Sequence, residues 1–190
     1  MQVTFNLESI RDFQDRSVRT TKLVRDGAKR LTRQYANDIA QKARENILYG
    51  PNGHSSPVDQ GRLLAGIQVV DDPDGFSVHV RSTADHAAFL EFGTGPKGRA
   101  TAEDVPDSYA HHSGNAGMPP TDIIEAWVRR KGIGNGDQSI KQVAYLIARE
   151  IAMNGIEARP YLIPALKEIQ PKYEAGLRNF LAYVEQRAGR

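Results

Sequence analysis

Apolar or small residues recur at Val24, Ala28, Leu31, Tyr35, Ile39, Ala43 and Ile47, in steps of three and four. That is the spacing of one helix face, and it predicts a single long helix over 18–48. Gly50-Pro51-Asn52-Gly53 holds the strongest helix breakers and should end it. After a polar loop, Ala65 to Val70 is rich in β-branched residues and reads as a strand. Phe76, Val78 and Val80 alternate with Ser77, His79 and Arg81, the pattern of a half-buried strand. Between them Asp71-Asp72-Pro73-Asp74-Gly75 has proline and glycine for a turn, so 65–82 is predicted to be an antiparallel hairpin. His86 to Phe92 reads as a third short strand or extended segment, stopped by Gly93-Thr94-Gly95-Pro96.

The pattern changes again beyond residue 120. Ile123, Ile124, Trp127 and Val128 give one apolar helix face, with Thr121 as the expected N-cap and Lys131-Gly132 at the end. Ile140, Val143, Ile147 and Ile151 line up on another helix over 140–153, closed by Asn154-Gly155. Arg159-Pro160-Tyr161-Leu162-Ile163-Pro164 should be an extended link, because each proline disfavours helix just before it. Leu166, Ile169, Tyr173, Leu177, Phe180 and Val184 then mark a last helix from about Pro164 to Arg187. The fold class expected is α+β, one domain over 1–190. A long N-terminal helix, a small antiparallel sheet of three to four strands, two shorter helices and a long C-terminal helix make it up. The two terminal helices have the length to lie side by side.

One stretch resists this reading. Residues 97–119 carry glycines at 98, 114 and 117 and only Val105, Tyr109 and Met118 as larger apolar side chains. Too little is there to offset the ordering entropy, so the sequence predicts a loop that is mobile alone and ordered against a partner.

Composition allows a real core: 190 residues, 39% hydrophobic, with mean hydropathy −0.52. No apolar run approaches a membrane span. Met1 to Glu8 lacks the basic-then-apolar order of a signal peptide, and a cytoplasmic site of synthesis and use is expected. Zero cysteines remove disulfides, thiolate nucleophiles and cysteine zinc sites. Charge is uneven. Residues 11–44 hold ten Lys or Arg against four Asp, +6 in a chain of net +2. Such a split fits a nucleic-acid surface, like-subunit stacking, or simply a solvated helix face. Arg25, Lys29, Arg30 and Arg33 are the candidate DNA-facing or inter-ring cations, for non-specific backbone contact.

Catalytic patterns are weak. Gly93-Thr94-Gly95-Pro96-Lys97-Gly98 lacks the Gly-Lys-Ser/Thr ending of a phosphate loop. Of the histidines at 54, 79, 86, 111 and 112 only the last two are close, and adjacent loop residues diverge. Asp85-His86 has no nucleophile elbow to serve. Trp127, on an apolar face, is expected in the core. No catalytic residue, metal site or cofactor is assigned.

Four separated blocks carry a resemblance. They are Val58-Asp59-Gln60-Gly61-Arg62-Leu63-Leu64-Ala65-Gly66-Ile67, His86-Ala87-Ala88-Phe89-Leu90-Glu91-Phe92-Gly93-Thr94-Gly95-Pro96, residues 124–133 around Trp127, and residues 146–166 with Arg159-Pro160. In order and spacing they resemble the tail-component family of long-tailed bacteriophages, also described as neck or tail-completion proteins. Two departures from that family are Phe89-Leu90, where a tyrosine-valine type of pair is commoner, and a longer 97–119 loop.

The resemblance implies a non-enzymatic virion subunit at the head–tail junction, assembled in the host cytoplasm. It implies a cyclic oligomer, most simply six-fold, between a connector or stopper ring and the tail terminator or tube. Packaged DNA is a possible non-specific contact, and no membrane is implied. Gly61, Arg62, Leu63, Phe89, Glu91, Phe92, Gly93, Thr94, Gly95, Trp127, Arg159 and Pro160 become the candidate interface or structural-motif residues. Arg159-Pro160 is placed to aim the last helix, and Arg159 to pair with Glu91 or a C-terminal carboxylate. A small hydrolase and a nucleic-acid-binding module are the competing readings. A ring-sized oligomer without substrate argues against the first, and DNA affinity that falls steeply with salt marks the second.

Overall fold

The computed structural model describes residues 7–50, 61–73, 77–97 and 117–188, with side chains in the first helix described from residue 19 onward. The order is α1 (Leu7–Tyr49), α2 (Arg62–Gly66), β1 (Ile67–Asp71), β2 (Val78–Ser82), α3 (Ala87–Phe92), a 3-10 turn (Gly95–Lys97), α4 (Thr121–Arg130), α5 (Asp137–Asn154) and α6 (Leu162–Ala188). The class is α+β, as the periodicities predict.

The terminal helices do lie side by side, and they run antiparallel. As residue numbers rise along α1 they fall along α6: Gly27 meets Phe180, Tyr35 meets Tyr173, and Lys42 meets Glu168. Tyr35 and Tyr173 pack edge to face with centroids 4.9 Å apart. The Tyr35 hydroxyl donates to the Lys172 carbonyl at 2.7 Å. Pro171 stands inside α6 without an N–H to continue the ladder.

Farther along α1 the buried apolar positions are Ala36, Ala40, Ala43 and Ile47. Three alanines let the hairpin come close to the helix axis. Leu63, Ile67, Tyr161 and Ala165 complete this core. Arg44 donates to the Ile67 carbonyl at 2.7 Å, and Arg33 pairs with Asp71, so both ends of β1 are tied to α1. The strands pair antiparallel with Val69 opposite Val80. A second cluster, Val128, Ile140 and Ala144, joins α4 to α5, with Trp127 half-buried against it.

Several expectations are corrected. The sheet has two strands among the described residues, not three or four. His86–Phe92 is not a strand: Ala87–Phe92 is helical, started by an Ala87 amide bond to the Ala84 carbonyl at 2.9 Å. Ala65 and Gly66 finish α2, so the first strand begins at Ile67. Pro120, not Thr121, occupies the N-cap of α4, and no side chain caps it. The first helix begins at Leu7 rather than at 18, and Leu162 and Ile163 already belong to the last one. The predicted loop at 97–119 falls largely on 98–116, and those residues, like Val58, Asp59, Gln60 and Phe76, lie outside the described ones.

Candidate functional site

The second and fourth motif blocks meet in space, although some sixty to seventy residues separate them in the chain. The helix α6 opens at Leu162, so its first-turn amides are those of Tyr161, Leu162 and Ile163, followed by Pro164, which has none. No Ser, Thr, Asp or Asn stands at position 161 to cap them. The cap comes from α3. Glu91 is buried, and its Oε2 accepts the Tyr161 and Leu162 amides at 2.8 and 2.9 Å while Oε1 accepts Ile163 at 2.9 Å. Every N–H the first turn possesses therefore has a partner. The carboxylate's charge also sits at the positive end of the helix dipole.

Two further ties flank this cap. The Arg159 amide donates to the Leu90 carbonyl at 2.7 Å. Thr94 and Ile156 exchange backbone hydrogen bonds, 2.9 Å from the Thr94 amide and 3.2 Å back, and Thr94 Oγ1 accepts the Ile156 amide at 3.0 Å. Gly93 makes this turn possible with φ +72 at the end of α3. Gly155 does the same opposite it: its φ is +75, and a Cβ there would overlap the Thr94 carbonyl.

Tyr161 is the hub of the site. Its ring is buried, and its carbonyl accepts from Asn46 Nδ2 on α1 at 2.9 Å. Burial, then the nearby negative charge of Glu91, push its hydroxyl up to about 12, against a smaller opposing effect of the bond to Ser82. The cluster thus joins α1, β2, α3 and α6 at one point.

The predicted site residues divide accordingly. Leu63, Glu91, Gly93, Thr94 and Gly95 are buried inside the subunit, and Phe92, Arg159 and Pro160 are half-buried beside them. Gly61 caps α2 with φ +70, and its carbonyl accepts the Ala65 amide at 2.9 Å. Arg62 and Phe89 face solvent, as do Arg25, Arg30 and Arg33, with Lys29 half-buried. Trp127 is apart from the Glu91 cluster. It lines a cleft of about 630 Å³ between the two cores, with Ile47, Leu63, Ile124, Ile151 and the polar Arg62 and Arg130. Sequence reasoning singles out Glu91 but misses Asn46 and Tyr161, the partners that make it a hub.

Chemically, the Glu91 carboxylate is committed to three amides and serves as an anchor. Among the described residues no group of three His, Asp or Glu side chains is placed to hold a metal ion. His79 makes an exposed pair with Asp72 at 3.2 Å, and His54, His111 and His112 lie outside the described residues. No helix among the described residues is long and apolar enough to cross a membrane.

No curated protein and no solved structure matches the chain. A family model does: residues 11–93, which take in the hairpin and reach the Gly93 turn, match the HK97-gp10-like family, described as "Bacteriophage HK97-gp10, putative tail-component", the family the sequence resembles.

Proposed function

We propose that the chain is a structural subunit of the phage neck, a non-catalytic member of a ring that joins the DNA-filled head to the tail. The observation that carries this reading is the match of residues 11–93 to a phage tail-component family. The architecture supports it. The motif residues that could suggest chemistry are spent on holding segments together, Glu91 on three amides and Thr94 on Ile156.

In this reading the buried motif residues set the shape of the subunit, and Arg62, Phe89 and the neighbouring exposed surface meet other subunits. Apolar side chains are available for that purpose on α5, where Tyr145, Leu146 and Met153 are all more than half exposed. A heterologous contact repeated around an axis closes a ring, and six-fold closure suits a tail. The adjacent partners are the connector or stopper ring on one side and the tail terminator or tube on the other. The place of action is the virion neck, after assembly in the host cytoplasm.

Deletion of the coding sequence from the phage tests the function. Filled heads and separate, complete tails in the lysate are the expected outcome under electron microscopy, and plating of wild-type numbers of infectious particles overturns it. Sedimentation of the purified protein, alone and with neck and tail extracts, tests the ring. A species of several subunits is expected, and a monomer under both conditions removes the ring from the proposal.

A further inference from the structure

The half of α1 that packs on α6 carries a cationic stripe on its opposite side. Gly27, Thr32 and Tyr35 face Phe180 and Tyr173 on α6. At 100° per residue, Lys22, Lys29 and Arg33 follow one another away from α6, with Arg19 and Arg30 beside them on one flank and Arg25 on the other, next to Thr32. Six cations stand against one acid, Asp26, over 19–33. Arg19, Lys22, Arg25, Arg30 and Arg33 are exposed. Farther along, the same side of the helix is covered by the hairpin, and the stripe ends where Arg33 reaches Asp71. Lys29, Arg30, Arg33, Gln34 and Asn37 line a shallow open depression there, with Asp38 and Asp71.

We propose that this stripe is a sequence-neutral binding surface for the phosphate backbone of duplex DNA. It rests on α1 alone and does not require the ring: with this stripe, DNA affinity that falls with salt is expected of a neck subunit as well as of a nucleic-acid-binding module, and the deletion phage, not the salt slope, separates those two readings. Two features of the stripe select the ligand. First, its centre holds no apolar or aromatic side chain: Leu23, on the flank beside Arg19 and Arg30, is half-buried, as are Val24 and Leu31, and Tyr35 is on the α6 side. A protein partner gains most of its affinity from a desolvated apolar centre, which this face lacks. A polyphosphate gains it from released counterions and needs only cations. Second, Lys22 to Arg33 spans eleven helical steps, roughly 16 Å, a length over which duplex DNA carries about ten phosphates. Three or four of those can face one helix. Without aromatic platforms or a reading helix in a groove, base sequence is not read.

The test is binding of the full chain to a short fluorescent duplex of mixed sequence, followed by anisotropy. Between about 50 and 200 mM salt the affinity should fall roughly 50- to 150-fold, the slope for three to four phosphates. Arg25→Gln with Arg30→Gln should weaken binding at least tenfold at low salt and flatten the log–log slope by about two. The matched control, Lys141→Gln with Arg178→Gln on other helices, should leave both unchanged, and circular dichroism verifies folding of each pair. Wild-type protein that does not bind the duplex at low salt overturns the proposal. So does an unchanged slope in the Arg25/Arg30 variant. Poly-glutamate that competes as well as unlabelled DNA also overturns it, since the face then recognises an acidic protein chain.

Discussion

Gly155 is pressed against Thr94 so closely that no other residue fits: a Cβ on Gly155 would occupy the place of the Thr94 carbonyl oxygen. The obstacle is backbone, which the reciprocal bonds between Thr94 and Ile156 hold in place. Gly155 also has φ +75, a conformation that costs an L-residue about 1–2 kcal/mol. Gly155→Ala should therefore destabilise the fold by about 3 kcal/mol or more, strain and lost hydrogen bonds together. Gly61→Ala is the comparison. It has φ +70 but open space around its Cβ, so only the conformational penalty of about 1–2 kcal/mol applies. Urea unfolding of the two variants measures the difference, and equal losses would show that the Thr94 contact is not the constraint.

Glu91 makes a second prediction. Glu91→Ala leaves the amides of Tyr161, Leu162 and Ile163 buried or half-buried without an acceptor, and it removes charge-assisted bonds. A loss of about 3–5 kcal/mol is expected. Glu91→Gln keeps the shape and one acceptor oxygen, but turns an NH2 group toward an amide donor, so it should fall between the two. Amide exchange at 161–163 is the direct readout. Protection retained in Glu91→Ala would mean that another group caps α6.

How much of this is legible in the sequence differs by element. The long helices α1, α5 and α6 are readable because steps of three and four persist over many turns. The hairpin is readable from Val78 and Val80 alternating with polar neighbours. Residues 87–92 mislead because six residues are too few to carry a decisive period, and the helix formers Ala87, Ala88, Leu90 and Glu91 are interrupted and closed by Phe89 and Phe92. The cap on α6 is hidden for a different reason. A carboxylate some seventy residues from the helix it caps leaves no local spacing. What the sequence does contain is a deficit: Tyr161 at the N-cap position cannot accept its own helix's amides, so some remote acceptor has to exist. Pairing that deficit with Glu91, an acid in an apolar run, is the available inference.

Tyr161 gives the third prediction, in pH. Its hydroxyl is held at about 12 against an ordinary value of 10.0, because burial and the Glu91 charge disfavour tyrosinate. The folded value is raised, so this contribution is fully present below pH about 10. It is lost as pH rises through 10 to 12, where only the unfolded chain readily gives up the proton. A two-unit shift corresponds to roughly 3 kcal/mol at most. Tyrosinate absorbance should show a component near pH 12 that is missing in Tyr161→Phe, and the variant's stability should decline less over the same window. A variant that loses one tyrosine's absorbance near pH 10, with nothing missing near pH 12, would place the Tyr161 hydroxyl in contact with solvent.

The last prediction concerns the α1–α6 seam, where glycine on one helix receives an aromatic ring from the other. A Cβ at Gly27 would overlap the Phe180 ring, and one at Gly176 would overlap the Tyr35 hydroxyl. The arrangement is reciprocal, and it explains why two long helices tolerate glycine in their interiors at a cost of about 1 kcal/mol each in propensity. Gly27→Val should be destabilising by about 1–3 kcal/mol, since the ring must leave its place between the helices. Phe180→Ala should be destabilising by about 3 kcal/mol, because it opens a void over Gly27. Together the two changes trade one volume for another: valine on α1 fills part of the space the ring vacates. The double variant should then be more stable than the sum of the single losses by about 1 kcal/mol or more, a coupling that only residues in contact show. Thermal or urea unfolding of the four proteins in the cycle supplies the value. Strict additivity would mean that the helices adjust independently at the two positions and that the ring is not seated on the glycine.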